Sequence, residues 1–391
     1  EPVVRATFEA HWRPPGYTCP NAAVYPWQWL WDSCFHAVVW AELGDPDRAL
    51  AEIATVFAGQ DLDTGFVPHI GYHSDPGHLE EFWERRGFSS ITQPPLYGWA
   101  LAELAAMGIE LPTALVERAS AGLDFLLSHR ARTPEGLVTL VHPWESGADD
   151  SPRWDGLLDG TWDRERWREY KGELLATVVR SRSGAPLSNP VLGVASVAFN
   201  ALVAHDALAL AAVLGTRDSA GLRERASILV EALRERWDPE RATWVDAGTT
   251  AESSGGARTL EGLLPLLVES DPVRRAAVVS SLVDPAAHGG GRFGPTGVAR
   301  SEPTFTPGSY WRGPTWPQLD FLLWTSLRGD PDGAHLVLGD QLAGAVAVGA
   351  LRSGMAEYWD SDDGTGGGAA PQSWTALAWV MARRTGVLGN G

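Results

Sequence analysis

The chain has 391 residues, with 31 Lys and Arg against 49 Asp and Glu and a formal net charge of −18. That balance excludes the basic stripe of a nucleic-acid binder and the cationic face of an anionic-membrane binder, and no apolar run reaches the roughly 18 residues of a membrane-spanning helix. Two cysteines, Cys19 and Cys34, are too few for a disulfide framework, and with no basic-then-apolar leader in EPVVRATFEAHW the expected compartment is a reducing cytoplasm.

In chain order, hydrophobic periodicity predicts helices over about 1–11, 32–44, 46–59, 92–108, 112–130, 189–215, 217–236, 259–270, 272–284, 313–328, 333–350 and 371–386, with no strand ladder. Asp45-Pro46 opens the third with Pro in its first turn. Pro94-Pro95 stands near the head of the fourth, Gly215 closes the sixth as a C-cap, and Asp271-Pro272 opens the ninth. The stretch LVAHDALALAAVL is apolar nearly all round, as in a helix buried on more than one side.

Most segments fall into tight pairs: 32–44 with 46–59, 92–108 with 112–130, 189–215 with 217–236, 259–270 with 272–284, and 313–328 with 333–350. Short links within pairs and long links between them mark an array of helical hairpins. No motif repeats at fixed spacing, as an open solenoid requires. The expected fold is therefore all-α, an (α/α)6 barrel forming one catalytic domain over 1–391. The long links, 60–91, 131–188, 285–312 and 351–370, exceed what a compact domain usually leaves without structure. If they emerge at one end, they form the mouth of an active site.

Those links hold part of an unusual excess of tryptophan, 19 against 7 Tyr and 11 Phe. Trp27, Trp29 and Trp31 are close neighbours; Trp144, Trp154, Trp162 and Trp167 share one segment; Trp311, Trp316, Trp359 and Trp374 complete the set. A broad apolar ring with one N–H donor suits a sugar, which has apolar C–H faces and polar edges. Core packing is the ordinary alternative, and it fits Trp40, Trp99, Trp324 and Trp379 in apolar helices.

Two acidic clusters lie among these rings. HPWESGADDSPRWDG (142–156) holds Glu145, Asp149, Asp150 and Asp155 with Arg153. MAEYWDSDDGTGGGAAPQSW (355–374) holds Glu357, Asp360, Asp362 and Asp363. Such a pair of clusters suits a two-carboxylate mechanism, with one protonated acid and one ionised base. Solvated charges, N-caps or partners of Arg153 are the alternative for each carboxylate, and spacing alone does not choose among them. His36, His69, His73, His142 and His205 are scattered, without an HExxH or CxxC pattern, so zinc is not implied. Asp360–Gly364 lacks EF-hand spacing, the glycines after it lack a Walker lysine, and there is no GxSxG elbow. No cofactor is expected.

The blocks YPWQWLWDSCF (25–35), GFVPHI (65–70), ITQPP (91–95), WESGADDSPRWD (144–155), SYWRGPTWP (309–317) and AEYWDSDDGTG…PQSW (356–374) together resemble glycoside hydrolase family 63. The bacterial glucosylglycerate and mannosylglycerate hydrolases are the nearest subgroup. The resemblance implies an (α/α)6 barrel and an inverting mechanism, with the general acid on Asp149 and the general base on Glu357. It puts Tyr25, Trp29, Trp31, Asp32, Gln93, Trp144 and Gln372 in the sugar site; Tyr310, Trp311 and Trp316 would continue the wall, and Glu145 is counted with them.

Two positions depart from the family pattern: Ala148 stands where Met is usual and Asp150 where Asn is usual. A second carboxylate beside Asp149 either raises its pKa by repulsion or points away. In the glycerate-specific relatives the region of 156–188 supplies Arg and Tyr residues to the aglycone carboxylate. Here Arg164, Arg166, Arg168, Tyr170 and Lys171 form either an anion clamp or a charged surface helix.

The implied activity is that of an inverting, exo-acting α-glycosidase. Its small-molecule partner would be an α-glucoside or α-mannoside such as glucosylglycerate or mannosylglycerate. An α-glucosidase acting on a kojibiose- or nigerose-type substrate and an inactive sugar-binding protein are the alternatives.

Overall fold

The computed structural model describes residues 1–158, 161–215, 219–248, 256–330 and 333–386. Its helices are α1 (Pro2–His11), α2 (Leu30–Glu42), α3 (Pro46–Val56), α4 (Glu80–Trp83), α5 (Tyr97–Ala106), α6 (Thr113–Asp124), α7 (Arg164–Ala176), α8 (Val197–Val213), α9 (Ala220–Arg234), α10 (Pro272–Val283), α11 (Pro317–Arg328), α12 (Leu336–Arg352) and α13 (Leu377–Thr385). Strand pairing among the described residues is confined to five two-stranded ribbons and isolated bridges.

The inner elements contact one another in a closed ring: α2 to α5, α5 to α8, α8 to the 3₁₀ helix Leu260–Leu267, that helix to α11, α11 to α13, and α13 back to α2. Outside them, α3, α6, α9, α10 and α12 each pack on the preceding inner element, and α1 lies against Ser373–Ala376 ahead of α13. This is the (α/α)6 barrel. Its two layers differ as their sequences require. Inner α2 buries every residue from Leu30 to Trp40, and α8 every residue from Val197 to Ala204. Outer α9 buries only the stripe Leu222, Ala226, Leu229, Ala232 and Leu233.

Buried carboxylates cap the inner helices. Asp206 of α8 accepts the Trp99 N–H at the head of α5 at 2.6 Å, and Asp246 accepts the Val197 N–H at the head of α8 at 2.8 Å.

Several boundaries differ from the periodicity reading. Helix α5 starts at Tyr97 rather than near 92, because Gln93 precedes two prolines and is held extended. Ser196 caps α8, so the stretch from 189 is not helical. In place of the helix expected over 259–270 stands the 3₁₀ helix Leu260–Leu267, with Pro265 removing a backbone donor from its interior. Helix α7, inside the link 131–188, bears out the helical reading of Arg164–Lys171, although Lys171 is buried rather than on the surface.

Candidate active site

The segments that lead into the inner helices converge on a cavity of about 890 Å³. Trp29, Trp31 and Asp32 lie at the head of α2; Gln93 precedes α5, Tyr310 and Trp311 precede α11, and Gln372 and Trp374 precede α13. The links 60–91, 131–188, 285–312 and 351–370 all contribute lining residues.

Most of the residues expected in a sugar site line this cavity: Tyr25, Trp29, Trp31, Asp32, Gln93, Trp144, Asp149, Tyr310, Trp311, Glu357 and Gln372. Glu145 and Trp316 do not. Glu145 is fully buried beneath the wall. It receives two N–H groups of Arg130, at 2.7 and 3.0 Å, and the backbone N–H groups of Val141 and Thr92 at 2.8 and 3.2 Å. Trp316 stands behind Trp311, stacked on it at 3.7 Å with the planes 6° apart.

Asp149 is held through its backbone. The Trp167 indole donates to its carbonyl at 2.7 Å, and the Trp154 indole donates to the Ala148 carbonyl at the same distance. Arg153 of the same motif forms a buried ion pair with Asp246, which ties this turn to the head of α8. Gly147 takes φ +76°, and a Cβ there would lie 2.7 Å from the Trp31 ring, so the turn approaches the wall as only glycine permits. Burial raises the Asp149 carboxyl above its ordinary value; Lys171 opposes this and Asp150 adds to it.

Glu357 sits at the start of the ribbon Tyr358–Trp359 paired with Gly366–Gly367. Its backbone N–H donates to the Ala369 carbonyl at 2.8 Å, and its Oε2 accepts the Ala369 N–H at 2.9 Å. The Tyr25 hydroxyl donates to Oε1 at 3.2 Å. Burial pushes Glu357 up to about 7; the Ala369 and Tyr25 donors pull it down, and Asp149 pushes it further up. Two carboxyls with raised pKa values thus lie in each other's field, walled by rings, and Glu357 can hold or release a proton near neutrality.

Five of the lining residues carry a buried polar atom without a partner. Trp29 Nε1, Asp32 Oδ1, Gln93 Oε1, Trp311 Nε1 and Gln372 Oε1 are buried with no hydrogen-bond partner among the described residues. Buried polar groups are normally paired, and an apolar wall with a few polar groups set in it is the make-up of a small-molecule site. Trp311 also holds φ 59°, a strained conformation for so bulky a residue.

The sequence does not single out Tyr72, His78, Phe82 and Trp83 of the first link as lining residues, whereas Trp374, one of the clustered tryptophans, lines the cavity as that clustering suggests. Arg164, Arg168 and Lys171 of α7 line it as well. Arg164 lies 5.5 Å over the Tyr310 ring and 3.3 Å from Asp150. No group of three or more His, Cys, Asp or Glu side chains among the described residues is arranged to hold a metal ion.

The model of the mannosylglycerate hydrolase MGH1-like glycoside hydrolase domain matches residues 25–375. A mannosylglycerate hydrolase of Thermus thermophilus is 31% identical, over 93% of this chain and 96% of its own length. A glucosylglycerate hydrolase of Mycolicibacterium hassiacum is 28% identical over 91% of each. The solved structure of a family 63 mannosylglycerate hydrolase from Thermus thermophilus, in complex with Tris, superposes with a TM-score of 0.82 at 26% identity, covering 96% of this chain and 99% of that one. Neutral trehalase of Saccharomyces cerevisiae shares the fold, with a TM-score of 0.64 at 15% identity, over 96% of this chain and 76% of its own. The chain is thus a glycoside hydrolase, and it belongs to the MGH1-like branch of glycoside hydrolase family 63.

Proposed function

We propose that the protein is an inverting, exo-acting α-glycosidase that hydrolyses a hexosylglycerate. The observation that carries this reading is the presence of Asp149 and Glu357 in one aromatic-walled cavity, each with a raised carboxyl pKa. In this reading Asp149 gives its proton to the glycosidic oxygen as the bond to the anomeric carbon breaks. Glu357 takes a proton from a water that attacks the same carbon from the opposite face, and the hexose leaves as the β-anomer. Trp29, Trp31 and Trp311 face the sugar ring, and Asp32, Gln93 and Gln372 take its hydroxyls. Arg164 and Arg168, which line the same cavity, suit a carboxylate on the leaving group. The names of the relatives, mannosylglycerate and glucosylglycerate hydrolases, support the same substrate class.

Proton NMR of the protein with glucosylglycerate, mannosylglycerate, kojibiose, nigerose, maltose and trehalose tests the proposal. The expected result is β-hexose released first from a hexosylglycerate, with release lost in Asp149→Asn and Glu357→Gln. Initial release of the α-anomer would overturn the inverting mechanism. Cleavage of a disaccharide in preference would overturn the anionic leaving group, and sugar binding without cleavage would leave a binding protein.

A further inference from the structure

Lys171 is the only lysine in the chain, and no step above uses it. Its Nζ donates to Asp149 Oδ2 at 2.6 Å and to Asp150 Oδ1 at 2.8 Å. The side chain is 7% exposed, and the amine lies 5.8 Å from the Trp144 ring and 5.5 Å from the Trp167 ring. A surface lysine does not look like this. Ordering and desolvating a long cationic side chain has a cost, and here it is met by two carboxylates and two rings.

The fold fixes where this amine sits. Asp163 caps α7 by accepting the Arg166 N–H at 2.9 Å. The carbonyl of Lys171 receives a bond from His142 Nε2 at 2.8 Å, and the Trp144 N–H reaches Nδ1 of the same ring at 3.1 Å. Burial pushes His142 down to about 3, so the ring is neutral, with its single N–H toward Lys171. Trp167, four residues before Lys171, binds the Asp149 carbonyl. The helix and the acidic turn are therefore locked together on both sides of the Lys171–Asp149 contact.

We propose that Lys171 is a positioning residue that sets the acid strength of Asp149, an inference that rests on the acid role given to Asp149 above. As Asp149 passes its proton to the leaving oxygen, negative charge develops on its carboxylate. A fixed amine 2.6 Å away stabilises that charge without rearrangement. The other groups in the field of Asp149 act in the opposite sense or elsewhere. Asp150 repels it, although Arg164 and Lys171 both bind Asp150. Glu357, Tyr25 and Tyr310 face it from the other walls and interact with its charge. Lys171 is the cation in direct contact with Asp149 among the described residues.

The test compares Lys171→Met, Lys171→Arg, Asp150→Asn and Asp149→Asn on a hexosylglycerate and on the corresponding α-glycosyl fluoride, whose leaving group needs little help from an acid. In Lys171→Met, kcat on the hexosylglycerate should fall roughly 100-fold with KM little changed. The alkaline limb of kcat/KM should move up by about one pH unit or more, and fluoride hydrolysis should stay near the wild-type rate. Lys171→Arg should restore most of kcat. Asp150→Asn removes a like charge, so its alkaline limb should move down, a result that does not depend on Lys171→Met folding. Equal losses on both substrates, a loss confined to KM, or unmoved alkaline limbs would overturn the proposal. If Asp149→Asn cleaves the hexosylglycerate at the wild-type rate, the acid assignment itself has failed. An inactive Asp149→Asn beside an unmoved Lys171→Met profile rejects the lysine's role alone.

Discussion

The Tyr25 hydroxyl donates to Glu357 Oε1 at 3.2 Å, joining residues 332 positions apart. A donor to a carboxylate favours its ionised form, and Tyr25 is one of two donors that restrain the upward push of burial on Glu357, which stands at about 7. If Glu357 is the base, it works only when ionised. The value of kcat/KM should therefore rise with pH up to about 7 and fall about tenfold for each pH unit below it. Tyr25→Phe removes a donor to the ionised form, so this acidic limb should move to higher pH. Paired pH–rate profiles on one substrate check this; coincident limbs would remove Tyr25 from the control of Glu357.

Gly368 is a second determinant of Glu357. It holds φ +71°, and a Cβ on it would lie 2.2 Å from Glu357 Oε2 and 2.8 Å from Glu357 Cβ. Gly368→Ala therefore combines a left-handed backbone, costing roughly 1–2 kcal/mol, with a collision at the carboxylate. If Glu357 is the base, the expected outcome is a folded protein with kcat reduced roughly 100-fold or more, since small displacements of a reacting group have effects of that size. A circular dichroism melt beside the kinetics separates loss of fold from loss of geometry, and wild-type kcat in a folded variant would refute the constraint.

The barrel was legible because inner and outer helices differ in kind. The run around Val197–Val213 has no polar face, whereas Ala220–Arg234 carries a narrow stripe, and only a two-layer ring uses both. The placing of helix α7 against the acidic turn was not legible, for a physical reason. Its buried positions are Trp167, Lys171 and Leu174, so the middle of the apolar stripe is a lysine whose partners lie some twenty residues away. The cavity wall was legible where tryptophans cluster in motif blocks. Tyr72, His78 and Phe82 went unread because their link shows no periodicity, and their convergence is set by the pairing of Gln28–Trp29 with Ile70–Gly71. Glu145 and Trp316 show the converse: a motif keeps residues that brace a site as well as those that face it.

Glu145 makes that distinction measurable. Its carboxylate and the Arg130 guanidinium have fully buried side chains, and two backbone donors complete the carboxylate's shell. Removing one partner of such a pair leaves a buried charge uncompensated, at about 3–5 kcal/mol. Glu145→Gln should lower the unfolding midpoint in urea by a corresponding amount, while KM of the folded fraction stays close to wild type. A large rise in KM with unchanged stability would instead place Glu145 among the groups that touch substrate.

Asp32 should show the opposite balance between stability and function. It is 2% exposed, with Oδ1 unpartnered among the described residues. Burial pushes it up from 3.8 to about 8; its own backbone N–H offsets part of that push, and Glu357 adds to it. Between those values the unfolded chain has released the proton and the folded chain has kept it. Folding therefore binds a proton, and stability falls as pH rises from about 4 to about 8. Asp32→Asn has no charge to bury, so its stability relative to wild type should increase across that window and level off above about 8. If Asp32 takes a sugar hydroxyl, the same substitution exchanges its carboxyl, protonated below about 8, for an amide, and loss of one uncharged hydrogen bond lowers kcat/KM roughly 5- to 10-fold. Unfolding midpoints at about pH 4, 6 and 8, read beside kcat/KM, test both halves. A stability difference that does not change with pH would mean that Asp32 is ionised in the folded protein. A variant more stable at neutral pH and poorer in turnover would mean that the site keeps this carboxylate at the expense of the fold.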